Sequence, residues 1–227
     1  LKDGAAALVA AALQGESRRA AGIVDEVLSD GITAASVYSL LIGPVQEELG
    51  RRREAGELSA AQEPSASRVV MDEMSRLRGR SRRLSGRGAC AAVASLEDGV
   101  YALGARMTAD LLLLDGWEVE YLGGAAKENL LNLPDDRRPA ILVVSLALPQ
   151  RLSELRLLID AARERYQGIG LLVGGPALRK HPEMSAGLGV ETYPHDGEEA
   201  VLAARRMLRG AGRDPSLKEL LSTVGSR

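Results

Sequence analysis

From residue 1 to about residue 77 the apolar positions recur at intervals of three and four, the spacing of one face of a helix. Ala7, Leu8, Ala11 and Ala12 form a first stripe, and Ala20, Ile23, Val24, Val27 and Leu28 a second. Asp30-Gly31 ends that second helix, with the glycine placed to take a left-handed C-terminal conformation. Thr33 is positioned to cap a third helix bearing Val37, Leu40, Leu41, Val45 and Leu49. After the turn at Ala55-Gly56-Glu57, Ser59 and Gln62 have the spacing of a capping box. The helix that follows carries Val69, Val70, Met74 and Leu77. Four amphipathic helices with short connections predict a four-helix bundle over residues 1–78.

The signal then stops. Residues 79–88 are basic, rich in Gly and Ser and aperiodic, the pattern of a solvated linker. Beyond them, short apolar runs alternate with helical periodicity. Strands are expected at 89–95, 117–122, 140–145, 169–173 and 190–193, and helices at 101–114, 127–131, 150–166 and 197–208. This alternation over 89–210 predicts a flavodoxin-like α/β domain, a doubly wound sheet of five parallel strands. Ligands of such sheets sit at the carboxyl ends of the strands, near the topological switch point. That edge holds the loops 96–100, 122–126, 146–150, 174–178 and 194–197. Residues 211–227 form a tail whose stretch 214–224 reads as one more helix, with Pro215 at its first position.

Composition narrows the function classes. The chain has 227 residues, 45% of them hydrophobic with no Phe, so its cores are built from Leu, Val, Ile and Ala. A formal net charge of −2 gives no general affinity for nucleic acid or membrane surfaces. The single cysteine, Cys90, falls in a buried strand and suits a reducing, cytoplasmic setting. No apolar run reaches the roughly 20 residues of a membrane span. With two histidines, His181 and His195, and no nucleophile–base pair or phosphate loop, ordinary acid–base or zinc catalysis finds no direct support.

Ordered motifs add a resemblance. Gly43-Pro44-Val45-Gln46-Glu47-Glu48-Leu49-Gly50 and Ala55-Gly56-Glu57-Leu58-Ser59-Ala60-Ala61-Gln62-Glu63 resemble a cap in which one helix ends in Gly-x-x-Trp-x-x-Gly and the next carries Glu-His. Further on come Gly104-Ala105-Arg106-Met107-Thr108-Ala109-Asp110-Leu111, Gly116-Trp117-Glu118-Val119-Glu120-Tyr121-Leu122-Gly123, Ser145-Leu146-Ala147-Leu148-Pro149 and Val173-Gly174-Gly175-Pro176. Their order and spacing resemble the cobalamin-binding module of methionine synthase and of B12-dependent light-sensing regulators, over about residues 13–208. That resemblance implies a four-helix cap over a flavodoxin-like domain and a corrinoid between them.

The family's ligand motif, Asp-x-His-x-x-Gly, follows its first strand, and the histidine is the lower cobalt ligand. Aligned on Gly104, this chain has Gly99 at the Asp position and Tyr101 at the His position, with Asp98 one residue early. In the cap, Arg53 stands where the family has Trp, and Pro64 where it has His; Glu63 is kept. Three readings are open. In the first, a corrinoid binds without histidine ligation, in a base-on form or with a different lower contact, and Ser145 and Gly174-Gly175 keep the family's nucleotide-tail groove, with Leu148 a further expected cofactor contact. In the second, haem or a bilin takes the space, with Tyr101 as the iron ligand and Arg53 paired with a propionate. In the third, the fold is a cofactor-free interaction module, Tyr101 merely packs and the Arg51-Arg52-Arg53 run is solvated.

Gly104, Gly123, Tyr193 and His195 complete the expected ligand edge, His195 lying in the loop after the fifth strand. The function expected first is a tetrapyrrole-binding sensory or regulatory module that acts through a partner protein. A corrinoid methyl-carrier role is the enzyme-linked alternative. Light-sensing relatives carry a DNA-binding segment ahead of the cap, so direct DNA contact is not expected here; a homo-oligomer is compatible with the sequence.

Overall fold

A computed structural model describes residues 2–80, 88–193 and 197–210. The cap is built from α1 (Lys2–Gln14), α2 (Ser17–Ser29), α3 (Ala34–Val37) running through a π-helical turn (Tyr38–Ile42) into α4 (Gly43–Glu54), and α5 (Gln62–Arg80). Local chemistry sets its boundaries as expected. The Thr33 hydroxyl accepts from the Ser36 amide at 3.2 Å. Ser59 and Gln62 cap each other, each backbone amide donating to the other's side-chain oxygen at 3.2 and 3.1 Å. The π turn was not expected from periodicity; it widens the helix at Tyr38, Leu41 and Ile42, all fully buried. The fourth cap helix also runs on to Arg80, two residues into the expected linker. Residues 81–87 and the expected tail helix at 214–224 lie outside the described residues.

The second unit is β1 (Cys90–Ser95), α6 (Leu103–Leu114), β2 (Glu118–Gly123), α7 (Ala126–Leu131), β3 (Ile141–Ser145), α8 (Leu152–Arg165), β4 (Gly170–Gly174), α9 (Pro176–Lys180), β5 (Glu191–Tyr193) and α10 (Gly197–Gly210). All five strands are parallel, in the order β2-β1-β3-β4-β5. Alternation within the central strands sorts the core into two layers. Ala91, Val93, Ile141 and Val143 face α6, α10 and the cap; Ala92, Ala94, Leu142 and Val144 face α7, α8 and α9. The short helix α9 was missed by the sequence reading, because five residues are too few to show a helical period. Cys90 is a buried core residue, and burial pushes its thiol up to about 11.

The cap is held on the sheet by buried polar contacts as well as apolar ones. Asp110 on α6 is 1% exposed, and its carboxylate accepts from the Tyr38 hydroxyl and from Arg78, each at 2.7 Å. The Tyr38 hydroxyl also lies 2.9 Å from the Met74 carbonyl. Burial, reinforced by the Asp110 charge, drives the Tyr38 hydroxyl far above its ordinary range, so it remains a donor. One carboxylate thus ties the π turn and α5 of the cap to α6. Removing it strands a buried phenol and weakens the hold on Arg78, so Asp110→Ala should cost about 3 kcal/mol. Tyr38→Phe should cost about 1.5–3 kcal/mol, since a hydrogen bond to a charged acceptor is lost. Urea unfolding followed by circular dichroism measures both, and a negligible loss for Asp110→Ala would contradict the clamp.

Candidate functional site

The chain reverses direction across the sheet between β1 and β3, which places the loops after these strands side by side at the switch point. Glu97, 4% exposed, joins them. Its Oε1 accepts from the backbone amides of Ala147 and Leu148 at 3.2 and 3.0 Å, and its own amide donates to the Ser95 hydroxyl at 3.2 Å. Leu148 therefore acts here through its backbone. Burial holds the Glu97 carboxyl above its usual range, against the opposing pull of the two amide donors. Glu97 was not singled out by motif comparison. The available signal was an acid set in the middle of a loop that leaves an apolar strand.

The next residues replace the family's ligand loop. Gly99 opens a 3₁₀ turn (Gly99–Ala102) at φ +64°, and a Cβ there would fall 2.8 Å from Glu63 Oε1. Glu63 in turn pairs with Arg53 Nε at 2.5 Å, joining the end of α4 to the start of α5 directly above the turn. Arg53 is exposed, as a solvated arginine run implies, and it has this partner as well. Its guanidinium already has a carboxylate partner, which also leaves it less suited to a propionate. Tyr101 is half-buried in the same turn, beside Arg53, Glu54, Glu63 and Lys180. Burial raises its hydroxyl above the ordinary range, so the neutral phenol is the form at pH 7, not the phenolate that iron prefers. Asp98 faces away from this cluster, against Gly124 and near Tyr121, whose ring carries the Arg106 guanidinium 4.0 Å from its centroid.

Two spaces meet at this edge. A cleft of about 810 Å³ lies between α4 and the strand ends, lined by Tyr101, Ala147, Pro176, Glu47 and Glu54 among others. Arg179 and Lys180 of α9 span its mouth to Glu47 and Glu54, at 3.2 and 2.7 Å. The sequence reading missed this basic pair, whose signal was its position just beyond the Gly174-Gly175-Pro176 turn. Deeper in, a space of only about 50 Å³ is lined by Gly104, Thr108, Ser145, Gly175 and Tyr193. It is small because Tyr193 fills it. The ring lies over Gly174 so closely that a Cβ there would be 2.5 Å from it. The Tyr193 hydroxyl, pushed up to about 12 by burial, is hydrogen-bonded to Thr108.

The structure thus brings together two groups of expected residues. Arg53, Glu63 and Tyr101 meet beside the cleft, and Gly104, Ser145, Gly174, Gly175 and Tyr193 around the small space; a Cβ on Gly104 would lie 3.7 Å from the Gln46 side chain of the cap. Gly123 closes β2 at φ +62°, apart from both groups, and His195 lies outside the described residues. His181 is exposed and sits 3.3 Å from Glu183. Among the described residues no cluster of three His, Cys, Asp or Glu side chains is arranged to hold a metal ion, and no helix is long and apolar enough to cross a membrane.

Glu97 yields a prediction of definite sign. A carboxyl whose folded pKa is raised contributes most below the unfolded value of about 4.3, and that contribution is lost as pH rises through the folded pKa. Glu97→Gln keeps an acceptor for both amides without the buried charge. It should therefore be more stable than the parent at pH 7, with the difference shrinking toward pH 4. Glu97→Ala should lose about 1–3 kcal/mol by leaving the two amides unpaired. Urea midpoints taken from pH 4 to 8 test this, and a Gln variant less stable than the parent at pH 7 would contradict it.

Comparison with known proteins agrees with this fold. None of the curated proteins matches the chain in sequence. Among solved structures, the monomethylamine corrinoid protein of Methanosarcina barkeri is similar in fold, with a TM-score of 0.70 at 17% identity over 87% of this chain and 94% of that one. A cobalamin-binding protein from Desulfitobacterium hafniense aligns at TM-score 0.46 and 18% identity, covering 88% and 97%. The methanol:cobalamin methyltransferase complex of M. barkeri aligns at 0.49 and 14%, covering 96% and 84%. Two family models described as B12 binding domains match residues 5–78 and residues 89–205. The chain therefore belongs to the B12-binding domain family, with both the helical cap and the α/β domain represented.

Proposed function

We propose that this protein binds a corrinoid in base-on form between its cap and the carboxyl edge of its sheet, and serves as a sensory or regulatory module read by a partner protein. The observation that carries the reading is the Tyr193 ring seated on Gly174. In the histidine-ligated mode that the family resemblance implies, the cofactor's own base leaves the cobalt and its nucleotide tail enters a groove at this edge. Here the histidine position is Tyr101, and the space beside Ser145 and Gly175 is about 50 Å³, far too small for a benzimidazole and its ribose. Loss of the ligand and closure of the groove are consistent with each other. A corrinoid that keeps its base on cobalt requires neither.

The residues at the cleft fit such a group. Tyr101 and Ala147 offer a floor at the strand ends, and Gln46, Glu47, Glu54, Arg179 and Lys180 offer donors and acceptors for a periphery rich in amides. Glu97 holds the two loops of that floor at a fixed spacing. The bound corrinoid would supply a cobalt centre that responds to light, redox state or alkylation. The protein's part is to position it and to register the change. The Arg179–Glu47 and Lys180–Glu54 pairs are well placed for this, because they are solvent-exposed and join the cap to α9 across the cleft mouth.

Incubation with aquo-, methyl- and adenosylcobalamin followed by gel filtration tests the proposal. A corrinoid should co-elute near one equivalent with a base-on visible spectrum, and Tyr101→Phe should leave that spectrum unchanged. If none of the three is retained, the cofactor-free interaction module takes its place. Retention with a base-off spectrum would contradict the role given to Tyr193.

A further inference from the structure

The two walls of the cleft differ in sign. Its α4 wall presents Glu47, Glu48 and Glu54, and its α9 wall presents Arg179 and Lys180. Arg51 is the other cation of the lining among the described residues, and it is held within the cap. Its guanidinium forks onto Glu48 at 2.9 and 3.1 Å and onto Glu57 at 3.1 and 3.0 Å. Arg179 and Lys180 instead reach across the mouth to Glu47 and Glu54, and these four side chains are between 38% and 57% exposed. Exposed pairs of this kind contribute little to stability, so an anion brought in by a ligand can displace either carboxylate at small cost. The Lys180 charge also acts on the Tyr101 hydroxyl, which places the basic pair beside the floor as well as at the mouth.

The rim of a corrinoid is made mostly of neutral amides. The exception is the phosphodiester that ties the corrin to its lower base, a negative group with two unesterified acceptor oxygens. In a base-on corrinoid that group stays beside the ring, and the space of about 50 Å³ next to Ser145 gives its nucleotide no seat deeper in the domain. Within the cleft the α4 carboxylates repel such an anion and the α9 cations attract it. Adjacent Arg and Lys side chains suit it chemically. A guanidinium donates in a fork to two phosphate oxygens, and an ammonium adds a compact charge with three donors.

We infer that Arg179 and Lys180 recognise the phosphodiester of a complete corrinoid, which takes them from Glu47 and Glu54 as it binds. The inference rests on the corrinoid reading proposed above and deepens it. It orients the ligand with its nucleotide edge toward α9, and it selects corrinoids that carry the phosphate over those that lack it. It also gives a partner protein something to read. The ion pairs between α4 and α9 are exchanged for contacts to the ligand, which leaves two carboxylates of the cap free to be recognised.

Cobinamide and cobinamide phosphate, both in their dicyano forms, isolate the effect, because they differ only by the phosphate and neither carries a base. Equilibrium dialysis against the full chain should show the phosphate form bound at least about tenfold more tightly. In the double variant Arg179→Gln, Lys180→Gln that ratio should fall to within about twofold. In the double variant Glu47→Gln, Glu54→Gln the affinity for cobinamide phosphate should rise about threefold or more, because the cations lose their competitors. A basic pair that served only to hold the cap would give the opposite sign there. Cobalamin affinity should follow that of cobinamide phosphate in both variants. Equal affinity for the two cobinamides in the parent chain, or weaker binding in the Glu47, Glu54 variant, would overturn the inference; base-on cobalamin retained in the same experiment would leave the corrinoid reading standing. Retention of no cobinamide and no cobalamin would overturn both.

Discussion

The seating of the cap depends on one buried carboxylate. Asp110 lies on the first helix after β1, yet its two oxygens are occupied by groups from the cap: the Tyr38 hydroxyl on the π turn and Arg78 near the end of α5. A charge in so buried a place is tolerable only with such partners. The contact orients α4 and α5 over the turn after β1. From that placement follow the Arg53–Glu63 pair above Gly99, the half-burial of Tyr101, and the cleft between α4 and α9.

Within that frame the strand-end edge is closed at several points by the chain's own side chains. The turn that resembles a histidine-bearing loop is closed from above by Glu63, against Gly99, whose positive φ only glycine adopts without strain. The small space deeper in is filled by Tyr193 over Gly174. Glu97 braces the loops after β1 and β3 from within. The cleft between cap and sheet, in contrast, stays wide. Side chains of this chain thus close the turn and fill the small space, beside a cleft of about 810 Å³. Both domain models show the family membership, and the base-on mode is the reading proposed for the site.

Much of the fold was legible in the sequence because its elements have strong local signals. Thr33, the Ser59–Gln62 box and Gly31 mark helix ends by hydrogen bonding and backbone conformation alone. The fully buried parallel strands appear as short apolar runs. The π turn was not legible, because its Tyr38 meets Met74 and Asp110, residues far along the chain that no local periodicity records. The site was legible as a set of positions and not as a set of contacts. Tyr101 and Arg53 stood out as departures from a pattern, but the partner of Arg53 comes from the next helix and the plug over Gly174 from the last strand. Glu97 escaped notice because its role is carried by backbone amides about fifty residues away, which no side-chain motif records.

The central claim is that the cobalt, once a corrinoid is bound, takes its lower ligand from the cofactor and not from the protein. Electron paramagnetic resonance of the cob(II)alamin-loaded protein, made with natural-abundance and with nitrogen-15-labelled chains, reads that ligand directly. The account predicts a three-line nitrogen splitting that is the same in both samples, because the coordinating nitrogen belongs to the unlabelled cofactor. A splitting that collapses to two lines in the labelled protein would show a nitrogen ligand from this chain, and the absence of nitrogen splitting would show a base-off cobalt; either would contradict it.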